Sequence, residues 1–533
     1  MPLKTIAELD FGFSDAENYR RRENKAKFQQ YFLRTEHLDS ILESSRYFLV
    51  GEKGTGKTAY SVYLSNNVYH DTHSIIKYIR ETDYNKFVSM KRKNSLELSD
   101  YRNIWEVIIY LLLSNAILES EGSNRFVERM KGMHTIKGVI DEYYQQAFSP
   151  EIIYAINFAE ESTQAAELML KHFGASGSDK QSINFSENKF QTNLMYLKQQ
   201  FEKSIGRAKL EKNHILFVDG IDIRPSSIPY ADYLECVKGL ANAVWAINND
   251  FLSSIKDSQG RIKVVLLLRP DIFSSLGLQN QNTKLRDNSV FLDWRATREG
   301  HRKSPLFLLV DKVLASQQSE THERGFCWDS YFPYDATNYV KPKEMTEKSS
   351  FIDVMRLSFS RPRDIITMLD IMKDKVVNER GHEERQFRPN DLGDANFRKE
   401  YSRYLLGEVK DQFSFYYTDE EYRIFLKFFN HLKGAATFSY EVYSRAFQQY
   451  WEHDLVNSPH KVTFPSTKED FLQFLYELNI INYIVDKEGY ERYVHWAFLE
   501  RTYSNPSPKV ELDRTYGVFY GLSKALNLGT KDY

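Results

Sequence analysis

Four short, mostly apolar runs punctuate the chain, and each ends in a polar or glycine-rich turn. Residues 46–50, 75–79, 214–218 and 263–268 are stretches of five or six residues rich in Val, Ile, Leu, Phe and Tyr. Their continuity predicts buried strands of one sheet. Around them apolar positions recur at helical spacing over 57–64, 101–120, 140–148, 192–207, 351–357 and 364–376. Strands interleaved with helices predict an α/β core. We read residues 1–30 as an N-terminal arm, 31–83 and 208–299 as that core, and 84–207 as a mainly helical insertion. Within the insertion, the polar stretch 174–182 reads as a mobile loop. Residues 300–410 read as a helical lid.

From 411 to 533 the pattern changes. Thr418 with Glu421 forms a capping box before a helix over 422–429, and Ser466 with Glu469 forms another before 471–478. An apolar-aromatic hairpin follows, 480–485 and 490–496, turning at 486–489. Helices followed by such a hairpin are the order of a winged helix.

Length and charge narrow the picture. A chain of 533 residues exceeds one ordinary core, so two to four compact units are expected. Its 71 Lys and Arg against 73 Asp and Glu leave a net charge of −2, without the basic footprint of a dedicated nucleic-acid binder. Cys236 and Cys327, the two cysteines, can build neither a disulfide framework nor a zinc site by themselves, which fits a reducing cytoplasm. The first residues lack an apolar signal core, and the most apolar stretch, 105–117, is short and broken by Glu106 and Ser114. A cytoplasmic protein that neither enters nor spans a membrane is expected.

The first strand runs into Gly51-Glu52-Lys53-Gly54-Thr55-Gly56-Lys57-Thr58, followed by Ala59 and a helical pattern. In this strand, loop and helix setting the octapeptide is a phosphate-binding P-loop signature. The glycines let backbone N–H groups turn toward phosphate oxygens at the positive end of a helix. Lys57 is the residue that reaches the β- and γ-phosphates, and the Thr58 hydroxyl completes a Mg2+ shell. The strand over 214–218 ends in Asp219-Gly220-Ile221-Asp222, as a Walker B element does. Asp219 is the metal-side carboxylate, and Asp222 the group that polarises the attacking water. The strand over 263–268 ends in Arg269-Pro270-Asp271, which makes Arg269 a γ-phosphate sensor, or else a turn arginine set by Pro270. At Ser360-Arg361-Pro362-Arg363-Asp364 a helix start with Ser360 as N-cap places two guanidinium groups together. Arg363 is the candidate second sensor, the bland reading being that both arginines pair with surface acids.

Together with Phe11-Gly12-Phe13-Ser14-Asp15-Ala16-Glu17, Leu268-Arg269-Pro270-Asp271-Ile272-Phe273 and Asp293-Trp294-Arg295, these motifs resemble the AAA+/STAND-like P-loop ATPases of bacteria, near the KAP-type and FunZ-like ATPases of phage-defence and plasmid settings. The resemblance implies an ATPase that self-associates and acts as a nucleotide-driven switch, partnered with an effector or sensor protein. The choice of ATP over GTP rests on it alone, as does a search for an arginine finger, for which Arg224 and Arg295 are candidates. Relatives carry Glu after the second Asp of this signature, where Ile223 stands here. Slow hydrolysis is therefore expected.

A winged helix raises the alternative of a DNA-binding ATPase of partition or transcription-regulatory type. Charge argues against it. Residues 466–479 set Lys468 against Glu469, Asp470 and Glu477, and the hairpin sets Lys487 and Arg492 against Asp486, Glu488 and Glu491. Such a surface repels phosphates, so a regulatory or protein-contact role is favoured. Tyr490, Tyr493, Trp496 and Phe498 read as core rather than a base-stacking platform.

Overall fold

The computed structural model describes residues 2–79, 98–121, 208–226, 228–337, 339–458, 462–486, 492–502 and 504–529, with a few more between 195 and 206. The predicted helix over 140–148, most of that over 192–207, the loop over 174–182 and Tyr490 lie outside them. The chain divides into two compact units. One comprises Ser40–Val50 and Tyr60–Val290, and the other Met1–Asp39, Gly51–Ala59 and Phe291–Tyr533.

The first unit is an α/β core around a five-stranded sheet. β1 (Phe48–Val50), β2 (Thr72–Tyr78), β3 (Asn213–Asp219), β4 (Ile262–Leu268) and β5 (Ser289–Phe291) stand in the order β2-β3-β4-β1-β5. β2 pairs parallel to β3, β3 to β4 and β4 to β1, with Val50 opposite Leu268 and Val218 opposite Leu266. β1, β3 and β4 are buried almost along their whole length, as their unbroken apolar runs require.

Three helices accompany these strands: α1 (Lys57–Asn66), α2 (Leu98–Glu121) and α3 (Tyr230–Ala246). α2 falls inside the segment read as an insertion, yet Trp105, Val107, Ile108, Ile109 and Tyr110 along it are fully enclosed. It crosses α3 at Gly239, where a Cβ would stand 2.6 Å from Tyr101 Cβ, so only glycine admits this approach. The Trp105 indole donates to the Cys236 carbonyl at 3.1 Å across the same crossing. Asn248, just past α3, ties that helix to the sheet by donating to the Val244 and Val264 carbonyls and accepting from the Val264 N–H.

Lys263 on β4 is buried, and its amine donates to the carbonyls of Ile41 and Glu43. Burial pushes its pKa down to about 7. A neutral amine still supplies both donated bonds, so the fold prefers the uncharged form. Between about pH 7 and the usual lysine value the unfolded chain binds a proton that the folded chain does not. Stability therefore climbs as pH rises through that window, and below it the whole cost of burying the charge is present. Lys263→Met should flatten the climb in urea midpoints measured from pH 6 to 10; an unchanged slope would show that the folded state keeps the amine protonated.

In the second unit the N-terminal residues are held by the Ile6 N–H on the Glu384 carbonyl and the Tyr331 hydroxyl on the Lys4 carbonyl. α4 (Pro305–Ala315), α5 (Pro362–Arg380) and α6 (Ala395–Tyr416) follow. α5 begins one residue later than expected. Pro362 at its first position forces Arg361 into an extended conformation, so Arg361 is the N-cap and Ser360 sits at φ +53°. The C-terminal part runs α7 (Asp419–His431), β6 (Thr437–Ser439), α8 (Tyr440–Tyr450), α9 (Lys468–Glu477), β7 (Ile481–Asp486), β8 (Arg492–His495) and β9 (Thr515–Val518). The strands form an antiparallel sheet in the order β6-β9-β7-β8.

The Thr418–Glu421 capping box stands at the start of α7. At α9 the cap is Thr467, whose hydroxyl accepts from the Asp470 N–H, and not Ser466 with Glu469. Tyr493 is not core either. It lies on β8, the sheet's edge strand, and is 43% exposed, whereas Trp496 is buried. No helix among the described residues is long and apolar enough to cross a membrane.

Candidate nucleotide site

The chain leaves β1 directly into Gly51. Gly54 and Gly56 adopt φ +83° and +94°, a region that side chains penalise, so the loop could not take this path with larger residues. At Gly51 a Cβ would stand 2.4 Å from Thr55 Oγ1, whereas at Gly56 the nearest atom would be Ala59 Cβ at 3.7 Å. Thr55 closes the turn by donating to the Glu52 carbonyl at 2.8 Å. Its own carbonyl accepts from the Trp294 indole at 2.8 Å. Lys57 is 6% exposed, and its ammonium donates to the Gly51 and Glu52 carbonyls at 2.8 and 3.3 Å. The loop thus folds around a cation at the start of α1, where Thr58 is the second residue.

Charged groups from distant parts of the second unit meet this loop. Glu52 pairs with Arg501, which is buried and also donates to the Glu477 carbonyl. Lys53 pairs with Asp411 and Glu408 on α6. Arg361 donates to the Lys53 carbonyl at 2.8 Å and grips buried Asp364 at 2.8 and 2.7 Å. Glu408 lies 3.6 Å from Arg361 and 3.8 Å from Arg363. Burial works against the Glu408 carboxylate, but Arg361, Lys53 and Arg363 hold its pKa below the usual glutamate value. Arg363 packs on Gly54, where a Cβ would come within 3.1 Å of its own, and donates to the Ser14 carbonyl.

The structure thus brings both arginines of the predicted pair to the loop, and Asp364, the acid that Arg361 grips, is buried rather than on the surface. Arg361→Ala would strand Asp364 in the interior and should cost about 3 to 5 kcal/mol. Urea unfolding measures it, and a loss under about 1 kcal/mol would mean that water solvates Asp364 instead.

The other predicted residues lie in the first unit. Because β1, β3 and β4 run parallel, Val50, Asp219 and Leu268 end at one edge of the sheet. Asp219 is buried and accepts from the Gly220 N–H at 2.7 Å. Gly220, at φ +95°, has Ile79 O where a Cβ would approach within 2.5 Å, which fixes the residue as glycine. Past it, the Tyr233 hydroxyl bonds the Ile221 carbonyl at 2.8 Å and the Ile223 carbonyl at 3.3 Å, so the turn bearing half-buried Asp222 is pinned through its backbone. Ile223 is 74% exposed. Arg269 stands at the N-cap of the short helix that Pro270 begins, but it is 2% exposed and bound to Asp271, so it is not a surface arginine.

No family model matches the chain, and no curated protein resembles it closely enough to be significant. What the residues can do therefore rests on their own chemistry. The finger candidates are both engaged. Arg224 donates to the Ile228 carbonyl, and Arg295 pairs with Asp293 while donating to the Leu499 carbonyl. Among the described residues no group of three His, Cys, Asp or Glu gathers as a metal cage. Glu408, Asp411 and Arg501 carried no sequence signal, since nothing in their spacing relates them to the loop.

Proposed function

We propose that the chain binds ATP with Mg2+ at residues 51–58 and hydrolyses it slowly, as a nucleotide-driven switch that self-associates and reports to a partner protein. The observation that carries this reading is the loop itself. Two glycines at positive φ and a buried lysine inside the turn suit the phosphates of a nucleotide, which would replace carbonyl oxygens as the ammonium's acceptors. Thr58 and Asp219 are the residues that would hold Mg2+, whose charge offsets that of the β- and γ-oxygens. Asp222 orients the attacking water and Arg269 senses the γ-phosphate. Arg363, already against Gly54, serves as the second sensor.

The switch reading draws on the ion pairs at Glu52 and Lys53. Movement of the loop must break or carry with it Arg501, beyond the C-terminal hairpin, and Glu408 and Asp411 on α6. We take residues 300–410 as a lid and residues 411–533, with the order α7, β6, α8, α9, β7, β8, as a winged-helix-like domain with a protein-contact role. Residues 466–479 carry one Lys against three acids, which disfavours DNA as its ligand. The setting of anti-phage defence follows from the resemblance.

Steady-state ATP hydrolysis with and without DNA, alongside mass measurement with ATP and Mg2+, tests the reading. Turnover with ATP-dependent assembly is expected. Absence of ATP binding would sink it, and turnover strictly dependent on DNA would favour the partition or transcription-type alternative.

A further inference from the structure

Away from the loop, the second unit holds a cavity of about 510 Å³ between α6, the segment around Asp353 and the residues after β9. Its lining includes Arg356, Arg398 and Lys524 against a single acid, Asp353. Asp353 is engaged by the Thr337 N–H and hydroxyl at 3.1 and 3.4 Å. Among the described residues none of the three cations has a carboxylate partner. The nearby acids are already neutralised, Asp391 by Arg380 and Asp394 by Lys375. Arg356 is propped over the Tyr520 ring at 5.4 Å, and Arg398 is steadied by its bond to the Leu392 carbonyl, so both guanidinium groups are positioned.

Like charges gather at a cavity at an electrostatic cost that a bound anion removes. The volume falls within the range of small-molecule sites. Two guanidinium groups and an ammonium suit a phosphate group better than a single carboxylate.

We propose that this cavity binds a small phosphate-bearing anion. The proposal does not depend on the nucleotide reading of residues 51–58, and its test is built to keep the two apart. Inorganic pyrophosphate and AMP are titrated by calorimetry into the full chain carrying Lys57→Ala, at physiological salt. Saturable binding of either is expected, and the tighter of the two tells whether the phosphate is borne by a nucleoside or free. Arg356→Gln with Lys524→Gln should weaken that binding by about tenfold or more. If the double variant does not fold, Arg398→Gln at its exposed position should weaken it by about threefold or more. No saturable binding by the Lys57→Ala chain, or binding untouched in a folded cavity variant, overturns the proposal.

Discussion

Lys57→Ala should lower ATP affinity by roughly a hundredfold, about 2.7 kcal/mol, while the chain stays folded. The lysine stem is buried and its ammonium is spent on the carbonyls of Gly51 and Glu52. The substitution removes the one cation enclosed by the turn and leaves two carbonyls that water can reach once the side chain is gone. Equilibrium binding of ATP reads the effect, and the melting temperature serves as the control. Retained tight binding in a folded variant would refute the assignment of the loop. A variant that loses both binding and folding is separated from this case by Lys57→Met, which keeps the buried stem and removes only the charge.

For Asp222→Asn the expected outcome is the opposite split: ATP binding kept and turnover reduced by about 10² to 10⁴. The turn is held by the Tyr233 hydroxyl on the carbonyls of Ile221 and Ile223, so an isosteric change at Asp222 leaves its path intact. Single-turnover hydrolysis separates chemistry from product release. Unchanged turnover would move the water-orienting role to another residue. Asp219→Asn should behave differently, weakening Mg2+-dependent binding, because it removes the negative charge of the carboxylate proposed to hold Mg2+ while its amide oxygen can still accept from the Gly220 N–H.

The strands of the core were legible because a strand buried on both faces needs a continuous apolar run, as residues 215–218 in β3 and 264–268 in β4 supply. Their order was not, since pairing β1 with β4 joins residues more than two hundred positions apart. The Thr418–Glu421 cap was readable from four residues, but at α9 two overlapping pairs compete, Ser466 with Glu469 and Thr467 with Asp470. The backbone takes the second, and the local sequence holds nothing to break the tie. β6 and β9, three and four residues long, are too short to show a period. At the loop, the glycines and Lys57 were legible because the turn that takes Gly54 and Gly56 to positive φ and encloses Lys57 is local in sequence. Arg501, 449 residues from Glu52, is brought there by tertiary folding alone.

The indole that donates to the Thr55 carbonyl also gives the loop its own optical reporter. Trp294 is one of six tryptophans, and its ring N–H is tied to the backbone that would wrap a phosphate. Emission from an indole depends on the dipoles its N–H faces, so a shift of that carbonyl registers as a change of colour or intensity without any attached dye. Subtracting the signal of Trp294→Phe would isolate one window on the turn, through which its rearrangement can be timed on the stopped-flow scale, separately from any chemistry that follows.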